Sequence, residues 1–314
     1  MKEVKKKYLQ PSSVSEAISM ARQYSGTSRY LAGGTDVVVN KFMGNDPAEC
    51  LIDISKIIEL RSISENESHL RIGSMVRLSE LEQNTVVKDN FPALCSAARA
   101  VASPVIRKTA TIGGNVLCEN RCNFYNQGEW WREAAGYCLK CDGDICIATG
   151  GKKNCFSKFV SDTAPVFISL NAMAETEGPG GKTIVPLEEI YTGNGLNPRN
   201  FPENSMLCAI LLPLKENKIN LFRKLRPRLA VDFTSLTVAL SVNREGDIKI
   251  VLGGVDPGPV IIEGKFAGSK EEIIKNAVKK ARIVNNDYYP REYRKEMIGV
   301  FLTEMFGEIE NNYR

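Results

Sequence analysis

The N-terminal part of the chain alternates between short apolar runs and polar turns, a pattern typical of a small α/β unit. Ser13 and Glu16 have capping-box spacing and predict a helix that runs to about Tyr24. The segment "RYLAGGTDVVVNKFMG" predicts a strand that ends at a double glycine and leads into a helix-like apolar segment. "CLIDI" predicts a compact strand, and "SISENESHLRIG" predicts a hairpin. We therefore expect a first α/β part over residues 1–55.

The rest of the chain predicts helices first and strands later. "RLSELEQNTVVKDNF" and "PALCSAARAVA" predict two helices, and "SPVIRKTATIGGNV" predicts a strand that meets a second double glycine. "SDTAPVFISLNAMAE" predicts a helix followed by a strand. From about Asn217, strands joined by polar turns precede two helices, which is typical of a separate α+β domain. The predicted fold class is α+β, with domains at 1–216 (parts 1–55 and 56–216) and 217–314.

The bulk composition narrows the classes of partner. The 314 residues are 43% hydrophobic and 25% charged, as in ordinary soluble proteins. The 41 Lys and Arg residues against 37 Asp and Glu residues give a net charge of +4. This charge is too small to indicate a nucleic acid or an anionic membrane as partner. The basic N-terminus lacks the apolar run of a signal peptide, so we expect a cytoplasmic protein.

Cysteines are concentrated in one loop. Six of the nine cysteines and both tryptophans lie between residues 118 and 155. Disulfides are uncommon in a reducing cytosol, so such a cluster indicates a metal or redox site. The single histidine, His69, excludes metal sites that need two histidines, and we interpret it as an ordinary strand residue.

The cysteine spacing alone leaves three interpretations open. An iron–sulfur cluster tolerates irregular spacing. A structural zinc site favours paired CxxC knuckles, and only Cys138 and Cys141 form one. Reactive or simply buried thiols are the third possibility. Outside the loop, Cys50, Cys95 and Cys208 lie among apolar residues and are expected to be core thiols.

Two double glycines share a design that suits a phosphate-bearing ligand. "AGGTD" (Ala32–Asp36) and "TIGGN" (Thr111–Asn115) each place adjacent glycines before residues with hydrogen-bonding side chains. Glycine lets a backbone approach a ligand closely, and successive N–H groups can bind an anion. Ordinary tight turns are the alternative, and we interpret a third doublet, Gly253–Gly254, in that way.

In series, these motifs resemble the FAD-binding subunits of the molybdenum hydroxylases, the xanthine dehydrogenase and carbon monoxide dehydrogenase family. The resemblance rests on "YLAGGTDVV", "TATIGGN", "SDTAP", Lys224 in "FRKLRPRLAVDF", "GGVDPGP" and "REYRK", and it covers essentially the whole chain. It implies a two-part FAD-binding domain of the p-cresol methylhydroxylase and vanillyl-alcohol oxidase type, followed by a C-terminal α+β domain.

The resemblance also implies which residues contact FAD. The implied FAD-binding residues are Tyr30, Leu31, Ala32, Gly33, Gly34, Thr35, Asp36, Val37, Val101, Thr111, Ile112, Gly113, Gly114, Asn115, Asp162, Leu207 and Lys224. Lys224 would lie near the flavin ring, where a cation stabilises negative charge on a reduced flavin. The alternatives are a solvated strand lysine for Lys224 and a helix N-cap for Asp162.

The cysteine loop is an insertion relative to most of that family, at about residues 117–158. It resembles the [4Fe–4S] insert of the 4-hydroxybenzoyl-CoA reductase branch, which implies Cys122, Cys138, Cys146 and Cys155 as ligands. Cys118 and Cys141 are then left over. Aromatic residues of the loop would pack around the cluster: Phe124, Tyr125, Trp130 and Trp131.

The implied function is electron transfer within a reductase complex. A low-potential donor such as ferredoxin would reduce the [4Fe–4S] cluster and then FAD, and electrons would pass to partner subunits. Those partners would be a small [2Fe–2S] subunit and a large molybdopterin subunit, in a dimer of heterotrimers, where an aromatic CoA thioester is dehydroxylated. Three alternatives stay open: an oxidative relative that delivers electrons to NAD or a quinone, a stand-alone flavin enzyme, and a zinc-bearing module without flavin.

Overall fold

The computed structural model describes residues 7–214 and 219–312. The predicted domain boundary between residues 216 and 217 lies outside the described residues. Three sheets organise the described chain, one of three strands, one of five and one of four. No described helix combines the length and the apolar character needed to cross a bilayer.

The first sheet is parallel and lies near the N-terminus. Its strands are β1 (Lys7–Leu9), β2 (Ser28–Leu31) and β3 (Cys50–Asp53), in the order β1-β3-β2. Helix α1 (Val14–Gln23) connects β1 to β2, and α2 (Val37–Phe42) follows β2. The Ser13 hydroxyl accepts a hydrogen bond from the Glu16 N–H at 3.2 Å, as the capping-box spacing predicts. Because α1 buries its apolar face against β3, this part has its own small core.

The second sheet is antiparallel and is surrounded by short helices. Its strands are β4 (Ile63–Glu65), β5 (His69–Gly73), β6 (Met173–Gly178), β7 (Gly181–Pro186) and β8 (Met206–Pro213), in the order β4-β5-β8-β6-β7. The helices are α3 (Leu78–Gln83), α4 (Thr85–Asn90), α5 (Pro92–Ala100), α6 (Pro104–Arg107), α7 (Ile112–Val116), α8 (Glu129–Ala135) and α9 (Ala164–Ser169). Single 3₁₀ turns lie at Ile54–Lys56, Ile58–Leu60, Leu139–Cys141 and Leu187–Ile190.

Two predictions for this part are wrong. The predicted helix after residue 77 is two helices, because Asn84 ends α3 and its side chain accepts from the Val87 N–H at 3.1 Å to begin α4. The predicted strand before the second double glycine is the helix pair α6 and α7. Ser103 caps α6 and Pro104 starts it, a combination that favours a helical first turn over an extended chain.

The third sheet is antiparallel and packs against two helices near the C-terminus. Its strands are β9 (Ile219–Leu225), β10 (Leu236–Val242), β11 (Asp247–Gly253) and β12 (Val260–Lys265), in the order β12-β11-β10-β9. Helices α10 (Lys270–Lys280) and α11 (Arg291–Asn312) cover one face of the sheet and bury a core of branched aliphatic residues. Gly254 has φ +78° and ends β11, as expected for the third glycine doublet.

The cysteine-rich insert is mostly irregular, and α8 is its longest regular element. Its two ends meet at an antiparallel bridge between Arg121 and Lys158, with N–H to oxygen distances of 2.9 and 2.7 Å. The Lys158 ammonium forms an ion pair with Asp287, and both side chains are almost fully buried. Burial lowers the pKa of Lys158, and the negative charge of Asp287 opposes that shift. This pair fixes the insert to the C-terminal part of the molecule.

We expect Asp287→Asn to destabilise the protein by about 3–5 kcal/mol, because it leaves the buried Lys158 ammonium without its counter-ion. Urea denaturation measures the loss. The matched control is Asp247→Asn, which removes an exposed pair with Lys265 and should leave the midpoint nearly unchanged. Equal destabilisation by the two variants would contradict this account of the Lys158–Asp287 pair.

Candidate functional site

A cavity that is partly open to solvent lies between the two glycine motifs. Its empty space, counted together with the solvent at its opening, is about 1140 Å³. Eleven of the predicted FAD-binding residues line it: Tyr30, Ala32, Gly33, Gly34, Thr35, Asp36, Val37, Thr111, Gly113, Gly114 and Leu207. The fold therefore brings the first sheet, the α7 region and β8 together around one space.

Glycine is required at two of these positions because the two motifs pack closely. A Cβ atom on Gly33 would lie 1.9 Å from the carbonyl oxygen of Thr109. A Cβ atom on Gly113 would lie 2.8 Å from the Cβ atom of Ser74. These contacts hold the walls of the cavity at a fixed separation. Gly34 has a φ of +72°, a backbone conformation that residues other than glycine adopt only at a cost in free energy.

The two motifs differ in the N–H groups that they offer to a ligand. In the described chain, the N–H groups of Gly33, Gly34, Thr35 and Asp36 donate no hydrogen bond. In the second motif, the Gly113 N–H donates to Ser74 O at 2.8 Å and the Gly114 N–H to Thr111 Oγ1 at 3.1 Å. The first motif therefore has the N–H groups that could bind an anion. The N–H groups of Gly113 and Gly114 in the second motif are already used within the protein.

Two buried polar atoms in the cavity wall also lack partners. Among the described residues, nothing bonds to Ser74 Oγ or to Asn45 Nδ2. Burying a polar group without a partner is unfavourable, so atoms of this kind indicate a ligand. Both residues line the cavity. The donors fit a dinucleotide such as FAD. Sequence reasoning missed Ser74 and Asn45, which carry no local motif.

Six predicted FAD-binding residues do not line this cavity: Leu31, Val101, Ile112, Asn115, Asp162 and Lys224. Asn115 is occupied elsewhere, since its Oδ1 accepts from Ser161 Oγ at 3.0 Å and from Thr163 Oγ1 at 2.7 Å. These bonds fix the second motif to the start of α9.

Asp162 and Lys224 form a buried pair with an Nζ to Oδ2 distance of 2.7 Å. Lys224 also donates to Ala100 O at 3.0 Å, next to Val101. The alternative interpretations are wrong, because Lys224 is not solvated and Thr163, rather than Asp162, is the N-cap of α9. Burial raises the pKa of Asp162, and the charge of Lys224 opposes that shift. Asp162 Oδ1 has no partner among the described residues.

A second, smaller cavity lies inside the insert. All four predicted cluster ligands line it: Cys122, Cys138, Cys146 and Cys155. Cys118 and Cys141 do not line it. Within the described chain, no three metal-ligating side chains are arranged to hold a single ion. Cys50, Cys95 and Cys208 are buried in the apolar cores, as predicted.

The aromatic residues of the insert are only partly where the sequence predicts them. Phe124 and Tyr125 line the thiol cavity. Trp131 packs on Phe124 with ring centroids 6.4 Å apart. Trp130 is 79% exposed, so its predicted packing around the thiols is wrong.

Cys141 has an environment unlike that of the cavity thiols. A hydrogen bond with Cys138 lowers the pKa of Cys141 to about 6, and Arg132 adds to the shift by donating from Nη1 to Sγ at 3.2 Å. Burial instead raises the pKa of Cys122 and of Cys155. The thiolate at Cys141 is therefore stabilised by the protein itself.

Three basic residues of the insert contact the wall of the large cavity. Arg121 pairs with Asp36, Arg132 donates to Asn45 Oδ1, and Lys140 Nζ lies 2.8 Å from Glu119 Oε1. All three basic side chains are at least nine-tenths buried. The three acceptor residues line the large cavity. We call these pairs the three anchors.

Comparison with known proteins gives consistent matches. Residues 2–215 match the sequence profile of a family described as the FAD binding domain in molybdopterin dehydrogenase. The aldehyde oxidoreductase FAD-binding subunit PaoB of Escherichia coli (strain K12) is 28% identical over 261 residues, covering 80% of this chain and 82% of that protein. The xanthine dehydrogenase FAD-binding subunit of Escherichia coli O157:H7 is 26% identical over 260 residues, covering 81% of this chain and 75% of that protein.

A solved structure has the same fold. Reconstituted CO dehydrogenase from Oligotropha carboxidovorans contains a chain that superposes with a TM-score of 0.74 at 21% identity, covering 94% of each chain. The profile match ends before the third sheet, whereas the structural superposition covers 94% of the chain and includes that sheet.

We expect Gly33→Ala to lower the stability by about 1–3 kcal/mol, because its methyl group would overlap the Thr109 carbonyl and force the cavity walls apart. The variant should also lose most of its bound dinucleotide, measured by absorbance after denaturation. Gly180→Ala is the control, since a Cβ there meets nothing within 4 Å. Full dinucleotide content in Gly33→Ala would show that the cavity walls are not set by this contact.

Proposed function

The chain belongs to the family of FAD-binding domains in molybdopterin dehydrogenases, and we propose that it is the electron-transfer subunit of a molybdenum hydroxylase-type dehydrogenase complex. The observation that carries the proposal is the cavity between the glycine motifs. Among the residues that line it, four have backbone N–H groups with no partner in the described chain, and Ser74 has a buried hydroxyl with none.

FAD is held, in this proposal, by backbone groups more than by side chains. The N–H groups of Gly33–Asp36 bind the pyrophosphate, and Ser74 and Asn45 supply further hydrogen bonds. Val101, Asp162 and Lys224 would hold the flavin ring, and the buried ammonium of Lys224 would favour negative charge there. Bound FAD supplies the ability to exchange one or two electrons.

The substrate chemistry belongs, in this proposal, to other chains. The relatives described above are named as FAD-binding subunits of an aldehyde oxidoreductase and a xanthine dehydrogenase. By analogy, a large molybdopterin subunit and a small [2Fe–2S] subunit assemble with this chain in the cytoplasm, as a dimer of heterotrimers. Division of the chain into residues 1–216 and 217–314 is part of the same proposal.

We further propose that the insert holds a [4Fe–4S] cluster. Cys122, Cys138, Cys146 and Cys155 supply the four thiolates that such clusters use, and all of them line one cavity. In a cluster each thiolate binds its own iron, so the ligands surround a volume instead of converging on a point. Phe124 and Tyr125 limit the access of water to that volume. A bound cluster would add a one-electron redox centre to the chain.

The direction of electron flow distinguishes two functions. The named relatives favour oxidation of a substrate on a partner chain, with electrons leaving through FAD to NAD or a quinone. The thiol cavity favours the second function, reduction of an aromatic CoA thioester with electrons from ferredoxin, because it offers a place for an additional iron–sulfur centre beside the FAD cavity. We take the oxidative function as the first proposal.

Serine variants test the cluster. Each of Cys122→Ser, Cys138→Ser, Cys146→Ser and Cys155→Ser should lower the iron content of the complex by about four atoms per copy of this chain, while FAD and the iron of the small [2Fe–2S] subunit are retained. Cys141→Ser and Cys95→Ser are matched controls that should keep iron. Iron and zinc are measured by mass spectrometry of the purified complex. Zinc in place of iron, or equal iron loss in Cys141→Ser, would contradict the assignment.

Anaerobic flavin spectra of the purified complex test the direction of electron flow. The oxidative function predicts that an aldehyde or purine substrate bleaches the flavin without any reductant and that NAD or a quinone restores its absorbance. Bleaching only by reduced ferredoxin, with recovery on adding an aromatic CoA thioester, would establish the reductive function instead. Purification of the chain without large and small subunits would contradict the complex itself.

A further inference from the structure

Lys140 stands in the wall between the two cavities. Its side chain lines the thiol cavity, and its Nζ lies 2.8 Å from Oε1 of Glu119. Glu119 in turn lines the large cavity. One ion pair thus crosses the partition, with its positive end toward the thiols and its negative end toward the FAD cavity.

The ammonium of Lys140 is held by a built site. Nζ also donates to Gly195 O at 2.6 Å and lies 5.3 Å from the ring centroid of Tyr125. Only 7% of the Lys140 side chain is exposed, whereas Glu119 keeps 29%. The position of the positive charge is therefore fixed, and salt screens it less than it screens a surface lysine.

The positive charge of Lys140 acts electrostatically on groups in the thiol cavity. Lys140 lines the same small cavity as all four thiols, so its positive charge lies close to whatever group they hold. A cation that favours a thiolate also favours any other added negative charge at the same place. The negative charge of the Glu119 carboxylate has the opposite effect, and the positive charge of Lys140 partly offsets it.

We propose that Lys140 and Glu119 are positioning residues with opposite effects on the reduction potential of the group bound by the four cavity thiolates. This inference rests on the cluster proposed above. Reduction adds one electron to that group, and no covalent bond of the protein forms or breaks. Lys140 raises the potential because it stabilises the added negative charge, and Glu119 lowers the potential through its own charge.

Charge-removing variants of the pair test the inference. The purified complex is titrated anaerobically with dithionite, and the reduced cluster is followed by electron paramagnetic resonance. Lys140→Gln should shift the equilibrium about tenfold toward the oxidised cluster. For a one-electron couple this corresponds to a reduction potential that is ~59 mV lower. Glu119→Gln should shift the potential in the opposite direction. Lys152→Gln, at an exposed lysine of the same insert, should leave it unchanged.

The opposite signs separate a charge effect from a structural one. Both variants break the same ion pair, so a purely structural role predicts the same change in each. If Lys140→Gln does not assemble, Glu119→Gln still tests the sign, and Lys140→Arg should keep the parent potential. Parallel shifts, or no shift, in complexes that contain iron would overturn only this inference. An unchanged iron content in the four cysteine-to-serine variants would overturn the cluster proposal as well.

Discussion

Three buried basic side chains from one irregular insert hold the candidate site together. Arg121, Arg132 and Lys140 each contact a polar residue that lines the glycine-motif cavity, and each is almost completely removed from water. Removing a cation from water is costly unless a partner compensates for it, so these contacts are strongly directional. An insert with little regular secondary structure has few other means of fixing its position. Arg121 and Arg132 therefore fix the insert to Asp36 and Asn45 outside it, whereas the Lys140–Glu119 pair joins two parts of the insert.

The same contacts connect the linings of the two cavities. The wall between them is the Lys140–Glu119 pair, and Asp36 belongs both to the first glycine motif and to the Arg121 anchor. A further pair, Lys158 with Asp287, fixes the end of the insert to the C-terminal part. Electron transfer needs redox groups at short and fixed separations, and this arrangement supplies fixed separations without a continuous sheet or helix.

Sequence reasoning succeeded where the signal is local. The glycine doublets reveal positions of close backbone approach, and Gly33 and Gly113 have such contacts. It failed at residues 103–116, where the Ser103–Pro104 helix start prevailed over an apolar, strand-like pattern. It also could not identify Ser74, Asn45 or the anchors, because those pairings join residues far apart in sequence. The four cavity thiols were selected from six by family resemblance, since spacing alone left an iron–sulfur cluster, a zinc site and reactive or buried thiols as open interpretations.

The central claim is that the insert places a thiolate-bound iron–sulfur cluster directly beside the FAD cavity. Anomalous X-ray diffraction from crystals of the intact complex, recorded at the iron absorption edge, tests it most directly. The account predicts an iron signal enclosed by Cys122, Cys138, Cys146 and Cys155, with FAD density between the two glycine motifs on the other side of the Lys140–Glu119 pair. A signal at the zinc edge alone, a disulfide among these cysteines, or FAD bound away from the glycine motifs would contradict it.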